Sequence, residues 1–297
     1  MSKFLTPDKV RHEYGLVIKE KLIPDGSKLK PNHALLHGKV EYVTIHNTAD
    51  IKEAPGTNDA EQYARATHNG AMSGVSVHYY IDETDCWQLL REDEMGFHAA
   101  DGFGPGNGTS LAIEIIMDGT GSEADVEAEA RGAILAAALL KKHGLGIDRL
   151  TTHRHWYQKK YCPLYILPHW QTFADTVKGY LDLPENLTTD EIIEQVVAGR
   201  WGSGKERRRK LAFAGYDWDT VQAGVTEYMQ ALNRVMGDLD GDGKVTAADA
   251  RLALRAAVGL EILTDDQKKA ADLDGNGKIT AADARLILRK AVGLEVA

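Results

Sequence analysis

Three residues of the types that bind transition metals lie within the first 162 residues of the sequence. His46 follows the alternating run EYVTI, His153 lies in THRHWYQKKYCP, and Cys162 comes nine residues after His153. Two imidazoles and one thiolate leave a tetrahedral zinc ion with one open position for water, which is typical of a catalytic site. A structural site more often takes four ligands from closely spaced pairs such as CxxC, and no such cysteine pair occurs. The pattern therefore predicts one catalytic zinc ion.

Alternating strands and helices are predicted to position these side chains. EYVTIH, SVHYYID and SLAIEIIM are typical of strands, and the last is nearly all apolar, as in a central strand covered on both faces. Ser122 can cap a helix that runs through EADVEAEARGAILAAALLKKHG, and Gly144 can end it. Strands that alternate with helices predict an α/β domain over residues 1–181, with a mixed central sheet flanked by helices.

Length and composition limit the class of protein. The chain has 297 residues, of which 43% are hydrophobic and 27% charged, as in a soluble globular protein of two or three domains. Its apolar runs fall short of the ~18 residues of a membrane span. The net charge of -9 argues against a nucleic-acid partner. Because MSKFLTPDKVRHEYG lacks the apolar core of a signal peptide, we expect a protein made in the cytoplasm without one.

The motifs around the predicted zinc ligands resemble the zinc-dependent N-acetylmuramoyl-L-alanine amidases, the family that includes peptidoglycan-recognition proteins. TIHNTA, SVHYYIDETDCWQ, MGFHAADG, GNGTSLAIEI and HRHW...KKYCP occur in the family's order over roughly residues 35–180. The resemblance implies an α/β fold and cleavage of the amide between N-acetylmuramic acid and L-alanine. It also implies that His46, His153 and Cys162 bind the zinc ion, and that Glu114 and Lys160 flank it.

The chemistry of amide hydrolysis gives each of these flanking residues a role. Glu114 lies in an otherwise apolar strand, where a carboxylate is costly unless it serves a site, and it could carry a proton from water to the leaving nitrogen. Lys160 could donate to the developing oxyanion. The alternatives are a partly exposed strand edge for Glu114 and a solvated loop charge for Lys160. His98 is assigned to substrate binding, with simple packing as the alternative.

Two positions depart from the family's pattern. Many relatives have Tyr before the histidine that matches His78, and this chain has Val77. Proton transfer is therefore assigned to Glu114. The closing motif often has Asp where this chain has His155, which is either a neighbour of the metal or a competitor of His153. We favour His153 because it keeps the nine-residue spacing to Cys162. Cys86 is predicted to be a buried, unreactive thiol.

Residues 238–261 and 272–295 are an internal repeat with a period of 34 residues and 20 identities in 24 positions. Each copy begins with Asp-x-Asp-x-Asp/Asn-Gly and has another Asp at the twelfth position. This spacing wraps the roughly six to eight oxygen ligands that calcium needs around one ion. The alternative is an acidic turn that only stabilises the start of the following helix. The repeat predicts two structural calcium ions, with ligands Asp238, Asp240, Asp242, Lys244, Thr246 and Asp249 in the first loop and Asp272, Asp274, Asn276, Lys278, Thr280 and Asp283 in the second.

Asp at the twelfth position, followed by the helix ADARLALRAAVGL, resembles the dockerin family over residues 237–297. The resemblance implies an α-helical domain with two calcium loops that docks onto a cohesin-type protein. The alternative is a calcium-stabilised cap without a partner. The family's partner-selecting positions match Ala247, Ala248, Ala281 and Ala282, which indicates an apolar contact that could form in either orientation.

Residues 189–232 read as a small module of three helices. VVAGRWGSGKERRRKLAFAGYDWDTVQAGV resembles the wall-binding repeat of Cpl-seven-type phage lysozymes, whose relatives bind muropeptide. Arg207 could pair with a peptide carboxylate, and Tyr216 could stack on a sugar ring. The alternative for the run KERRRK is a solvated basic face, and the acidic chain argues against nucleic acid.

Together these features predict a modular peptidoglycan hydrolase that acts at the bacterial cell wall. Because a signal peptide is missing, a phage endolysin released by a holin is the favoured origin. The alternatives are a secreted autolysin docked to a cohesin scaffold, an adaptor that mainly docks to cohesin, and a peptidoglycan-binding protein without catalysis. The last is disfavoured because such relatives often lose the ligand cysteine, and Cys162 is present.

Overall fold

The structure is a computed structural model that describes residues 4–48, 59–232 and 235–294. The chain divides into two compact units. The first comprises Met1–Thr188 and Trp201–Trp218, and the second comprises Thr189–Arg200 and Asp219–Ala297.

A mixed sheet of seven strands forms the centre of the first unit, among the residues that the structure describes. The strand order across the sheet is β1-β2-β5-β4-β6-β3-β7. Strands β1 and β2 are antiparallel, as are β4 and β5, and the remaining neighbours are parallel. The mixed sheet predicted from the sequence is therefore confirmed. The strands are β1 (Lys9–Glu13), β2 (Leu16–Glu20), β3 (Tyr42–Asn47), β4 (Tyr79–Ile81), β5 (Cys86–Gln88), β6 (Ser110–Ile115) and β7 (Leu150–Thr152).

Helices flank this sheet and make up the described part of the second unit. Ser122 caps α3 by accepting a hydrogen bond from the Asp125 backbone, as its sequence predicts, and α3 packs its Ala- and Leu-rich stretch into the main core. The helices are α1 (Ala60–His68), α2 (Pro105–Thr109), α3 (Glu123–Lys142), α4 (His153–Trp156), α5 (Trp170–Leu181), α6 (Thr189–Val197), α7 (Gly204–Phe213), α8 (Trp218–Leu232), α9 (Ala247–Ala257), α10 (Asp265–Ala271) and α11 (Ala281–Ala291). Short 3-10 turns occur at Leu36–Gly38, Ile147–Arg149 and Leu167–His169.

Helix α7, which carries the basic run KERRRK, belongs to the first unit. Phe213 at its end is buried in the same core cluster as the sheet and α3. The Phe213 ring centroid lies 5.2 Å from that of Tyr14 and 5.1 Å from that of Tyr180. Arg209 forms an ion pair with Glu127 of α3. At least this face of the basic helix is therefore packed against protein.

Replacing Phe213 with Ala is expected to destabilise the first unit by about 3 kcal/mol, because a buried aromatic ring is lost and a cavity remains. The measurement is the free energy of unfolding from denaturant titration of the full chain. Phe4, which is 67% exposed, gives the matched control, and Phe4→Ala should change stability much less. Equal effects of the two substitutions would contradict the packing described for Phe213.

The second unit contains the two related loop-helix segments. Thr246 and Thr280 each begin a helix with a capping box, whose acidic members are Asp249 and Asp283. Helices α9 and α11 pack against each other through a shared core that includes Ala253 and Ile287. Helix α10 between them, like the β1–β2 hairpin of the first unit, was not predicted from the sequence.

Candidate metal centre and catalytic cleft

Three neighbouring parallel strands bring two of the predicted zinc ligands and Glu114 to one edge of the sheet. His46 lies near the carboxyl end of β3, and its register partner on β6 is Glu114. Thr152 ends β7 opposite Ile45, so His153 emerges beside His46. Because parallel strands end at the same edge, residues far apart in sequence meet there.

The ligand atoms of His46, His153 and Cys162 lie within 4.8 Å of one another. The two imidazole rings are 4.7 Å apart between centroids, and the Cys162 Sγ is 3.7 Å from Nδ1 of His46. Zinc bonds of ordinary length at a tetrahedral angle would separate a nitrogen and a sulfur ligand by about 3.5 Å. The described residues therefore contain a His/His/Cys group whose spacing suits a metal ion.

Burial strengthens the case for a cation among these three side chains. Both ring nitrogens of His153 are buried and have no hydrogen-bond partner among the described residues. Burial, then Lys160, lowers the pKa of His153 to about 4. Burial, then the Glu114 carboxylate, raises the pKa of the Cys162 thiol to about 12. The histidines thus offer uncharged nitrogens, and a cation would stabilise the thiolate that burial disfavours.

A cleft of about 660 Å³ opens onto the three ligands, and both predicted catalytic residues line it. Glu114 is half-buried on β6, and Lys160 is exposed in the loop before Cys162. The structure thus brings together the metal site, a carboxylate and an ammonium group. The lining also includes Val75, Phe97, Tyr157, Tyr161 and Leu164.

The hydrogen bonds of α4 hold His153 against the sheet. The Trp156 Nε1 donates to the Thr44 hydroxyl of β3 at 2.9 Å, and that hydroxyl donates to the Ser110 hydroxyl of β6 at 2.8 Å. The Asn47 side-chain oxygen accepts from the Tyr165 backbone at 3.0 Å, which fixes the loop after Cys162. Sequence reasoning did not single out these residues, whose only signal was their proximity to the ligand motifs.

The second unit brings acidic side chains together in each repeat. Oxygens of Asp238, Asp240 and Asp242 lie within 4.8 Å of one another, as do those of Asp272, Asp274 and Asp283. Asp249 lies outside the first group. Its oxygens accept from the backbone of Leu239 and Asp240, and from both the backbone and hydroxyl of Thr246. The remaining predicted ligands, Lys244, Thr246, Asn276, Lys278 and Thr280, lie in the same loops or cap the following helices.

The region that contains the cleft matches a known protein family. Residues 36–164 match the family model described as N-acetylmuramoyl-L-alanine amidase. Residues 36–164 belong to the N-acetylmuramoyl-L-alanine amidase family. The other matches are a CW_7 repeat over residues 190–229 and a dockerin type I domain over residues 236–291. The three resemblances predicted from the sequence are confirmed.

Two Bacillus subtilis strain 168 proteins, the amidases XlyA and CwlH, are similar to the amidase region. XlyA is 34% identical over 157 residues, which cover 53% of this chain and 50% of XlyA. CwlH is 31% identical over 165 residues, which cover 55% of this chain and 62% of CwlH. This chain thus spans about half the length of the curated relatives. A solved structure described as a mutant endolysin from Bacillus subtilis is 33% identical, with a TM-score of 0.49 and coverage of 55% of this chain and 99% of that one.

The remaining predicted residues of the amidase region have distinct places. His98 is 4% exposed and lines the cleft, but its substrate contact stays a prediction. His155 is exposed and borders a separate depression with Arg154 and Gln158, and the group of three possible ligands contains His153. Cys86 is a buried free thiol, whose pKa burial raises to about 12.

The predicted wall-binding residues of the CW_7 repeat are engaged with protein groups. Arg207 donates from Nε to the Gly202 carbonyl at 2.9 Å. The Tyr216 hydroxyl bonds to the Leu187 backbone, and its ring packs edge-on against Trp201. Their binding roles stay predictions. No helix in the described ranges has the length and apolar character needed to cross a membrane.

Proposed function

We propose that this chain is a peptidoglycan hydrolase that cleaves the amide between N-acetylmuramic acid and L-alanine. The observation that carries the proposal is the convergence of His46, His153 and Cys162 within 4.8 Å in a cleft that Glu114 and Lys160 also line. A zinc ion bound there would polarise the scissile carbonyl and lower the pKa of a water molecule toward about 7.

Each flanking residue contributes a different step. The Glu114 carboxylate accepts a proton from the attacking water and delivers it to the leaving nitrogen of L-alanine. The Lys160 ammonium donates a hydrogen bond to the carbonyl oxygen as negative charge develops on it. Apolar and aromatic side chains along the cleft exclude water and contact the faces of the sugar and peptide.

The test is digestion of purified peptidoglycan by the zinc-loaded full chain, followed by mass analysis. The expected products are peptides with a free L-alanine amino terminus and glycan strands that keep the lactyl carboxylate. New reducing sugar ends, or cuts confined to the stem peptide, would overturn the assignment.

The dockerin region supports a proposal of two bound calcium ions. Each loop gathers three carboxylates, and the backbone N–H groups of Gly241 and Gly243 orient Asp238 in the first loop. Without a cation these carboxylates repel one another, whereas calcium satisfies their oxygens.

Calcium is expected to raise the melting temperature of the second unit. A ligand that binds only the folded state stabilises that state by about 2.7 kcal/mol per site at a concentration 100 times its Kd. The measurement is a calorimetric melt of the full chain with calcium and with a calcium chelator. Magnesium at the same concentration is the control. A melt insensitive to calcium would contradict the two sites.

A cohesin-type partner is the proposed ligand of the dockerin region. Ala247 and Ala248 are exposed at the start of α9, and Ala281 and Ala282 occupy the equivalent place on α11. The exposed side chains Leu254 and Leu288 lie further along the same two helices. A calcium-dependent pull-down with purified cohesins tests this partner.

The CW_7 repeat over residues 190–229 is proposed to hold the chain on the cell wall.

A further inference from the structure

The two nitrogens of the His46 ring face different partners. Nδ1 is 3.7 Å from the Cys162 sulfur, on the side where the three ligand atoms meet. Nε2 is 3.2 Å from Nδ1 of His98. Both residues are buried, His46 at 3% exposure and His98 at 4%. His98 therefore contacts the edge of the His46 ring that faces away from Cys162.

The position of the protons follows from this arrangement. A metal takes the lone pair of the nitrogen it binds, so a neutral imidazole bound through Nδ1 carries its proton on Nε2. That proton needs an acceptor because a buried donor without one is costly. Nδ1 of His98 can be the acceptor if His98 carries its own proton on Nε2, an atom that is buried and has no hydrogen-bond partner among the described residues.

We propose that His98 is a positioning residue for the metal site: its Nδ1 accepts the Nε2 proton of His46 and thereby fixes Nδ1 of His46 as the ligand atom. This inference rests on the proposed zinc function and names a residue that acts through a ligand. A partner of this kind holds the ring orientation and makes the ligand nitrogen more basic.

The backbone of His98 is itself held in place. Its N–H and that of Ala99 both donate to the side-chain oxygen of Asn107, each at 2.7 Å. The Asn107 amide nitrogen donates to the Gly102 carbonyl at 2.8 Å, and Asp101 accepts from the Asn107 backbone. This network holds the backbone of His98 beside His46, as a positioning role requires.

Two substitutions separate positioning from packing. Asn carries an oxygen where His has Nδ1, so His98→Asn keeps an acceptor for His46. Gln places its polar atoms where His has Nε2, so His98→Gln loses that acceptor although its size is closer to that of His. We expect His98→Asn to retain the zinc affinity of the unmodified chain and His98→Gln to bind zinc roughly 10- to 100-fold more weakly. A packing role would reverse this order.

The measurement is competition for zinc between the full chain and a chromophoric chelator, with calcium present to fill the acidic loops. Thermal melts identify any variant that fails to fold. Equal affinities for the two variants, or a greater loss with Asn, would overturn the inference while leaving the amidase proposal standing. Failure of the unmodified chain to bind zinc would overturn both.

Nitrogen-15 NMR of the zinc-loaded chain with labelled histidine gives an independent readout. The expected pattern for His46 is a metal-bound Nδ1 and a protonated Nε2 in a hydrogen bond. Zinc bound through Nε2, with the proton on Nδ1, would overturn the inference without any reference to activity.

Discussion

Replacing Cys162 with Ser is expected to remove zinc from the amidase domain and to lower peptidoglycan cleavage at least about a thousand-fold, because residues that act as one unit fail together. Cys162 is the cysteine of the proposed three-ligand group, whose other members are His46 and His153. A serine hydroxyl is a weaker ligand that stays protonated at neutral pH. Zinc content by elemental analysis and release of L-alanine-linked peptides are the two measurements.

Cys86 gives the matched control for this prediction. It is the other cysteine of the chain and is buried as a free thiol in β5, 40 or more residues from each predicted zinc ligand. Cys86→Ala should retain zinc and activity, although a smaller core side chain lowers stability. Undiminished cleavage by a folded Cys162→Ser chain would exclude the metal-based reaction proposed for the cleft.

Replacing Glu114 with Gln is expected to lower kcat by roughly 100- to 10,000-fold while zinc stays bound. Glu114 is the register partner of His46 on the neighbouring strand, so its carboxylate lies beside the ligand group without belonging to it. Gln keeps the size of the side chain but cannot accept a proton. Zinc content and single-turnover cleavage together separate loss of proton transfer from loss of the metal.

Glu123→Gln is the control for loss of a carboxylate. Glu123 lies in the first turn of α3, where its exposed side chain pairs with Lys205. An exposed pair of this kind contributes little to stability, so activity should be unchanged. If Glu114→Gln reduced kcat by less than ten-fold, the proton acceptor would have to be another group in the cleft.

Much of the site could be predicted because its residue types are rare in their local setting. A carboxylate in the apolar run SLAIEIIM indicates chemistry, and the motifs around His46, His153 and Cys162 occur in the order of a known family. The calcium loops were equally clear, because the spacing of their acidic residues repeats after 34 positions. Ser122 and Thr246 begin helices for local reasons, so their capping could also be predicted from sequence.

Contacts between distant segments could not be predicted in this way. KERRRKLAFAG reads as a helix, but nothing in its pattern indicates that Phe213 enters the core beside Tyr14 and Tyr180. The contact between His98 and His46 could not be predicted either, because the two residues are 52 positions apart in the sequence. Such pairs depend on which strands become neighbours, and local hydrophobic periodicity carries no information about that choice.

By itself the sequence determined the ligand types, the order of the motifs, the repeated acidic loops and the division of the chain into recognisable families. Only the tertiary structure decided that His153, and not His155, joins His46 and Cys162. It did so because His153 directly follows β7, which runs parallel and adjacent to β3, so that it is buried beside His46, whereas His155 is exposed. Which nitrogen of His46 faces the metal site was likewise set by packing, since only the folded chain places His98 against its other edge.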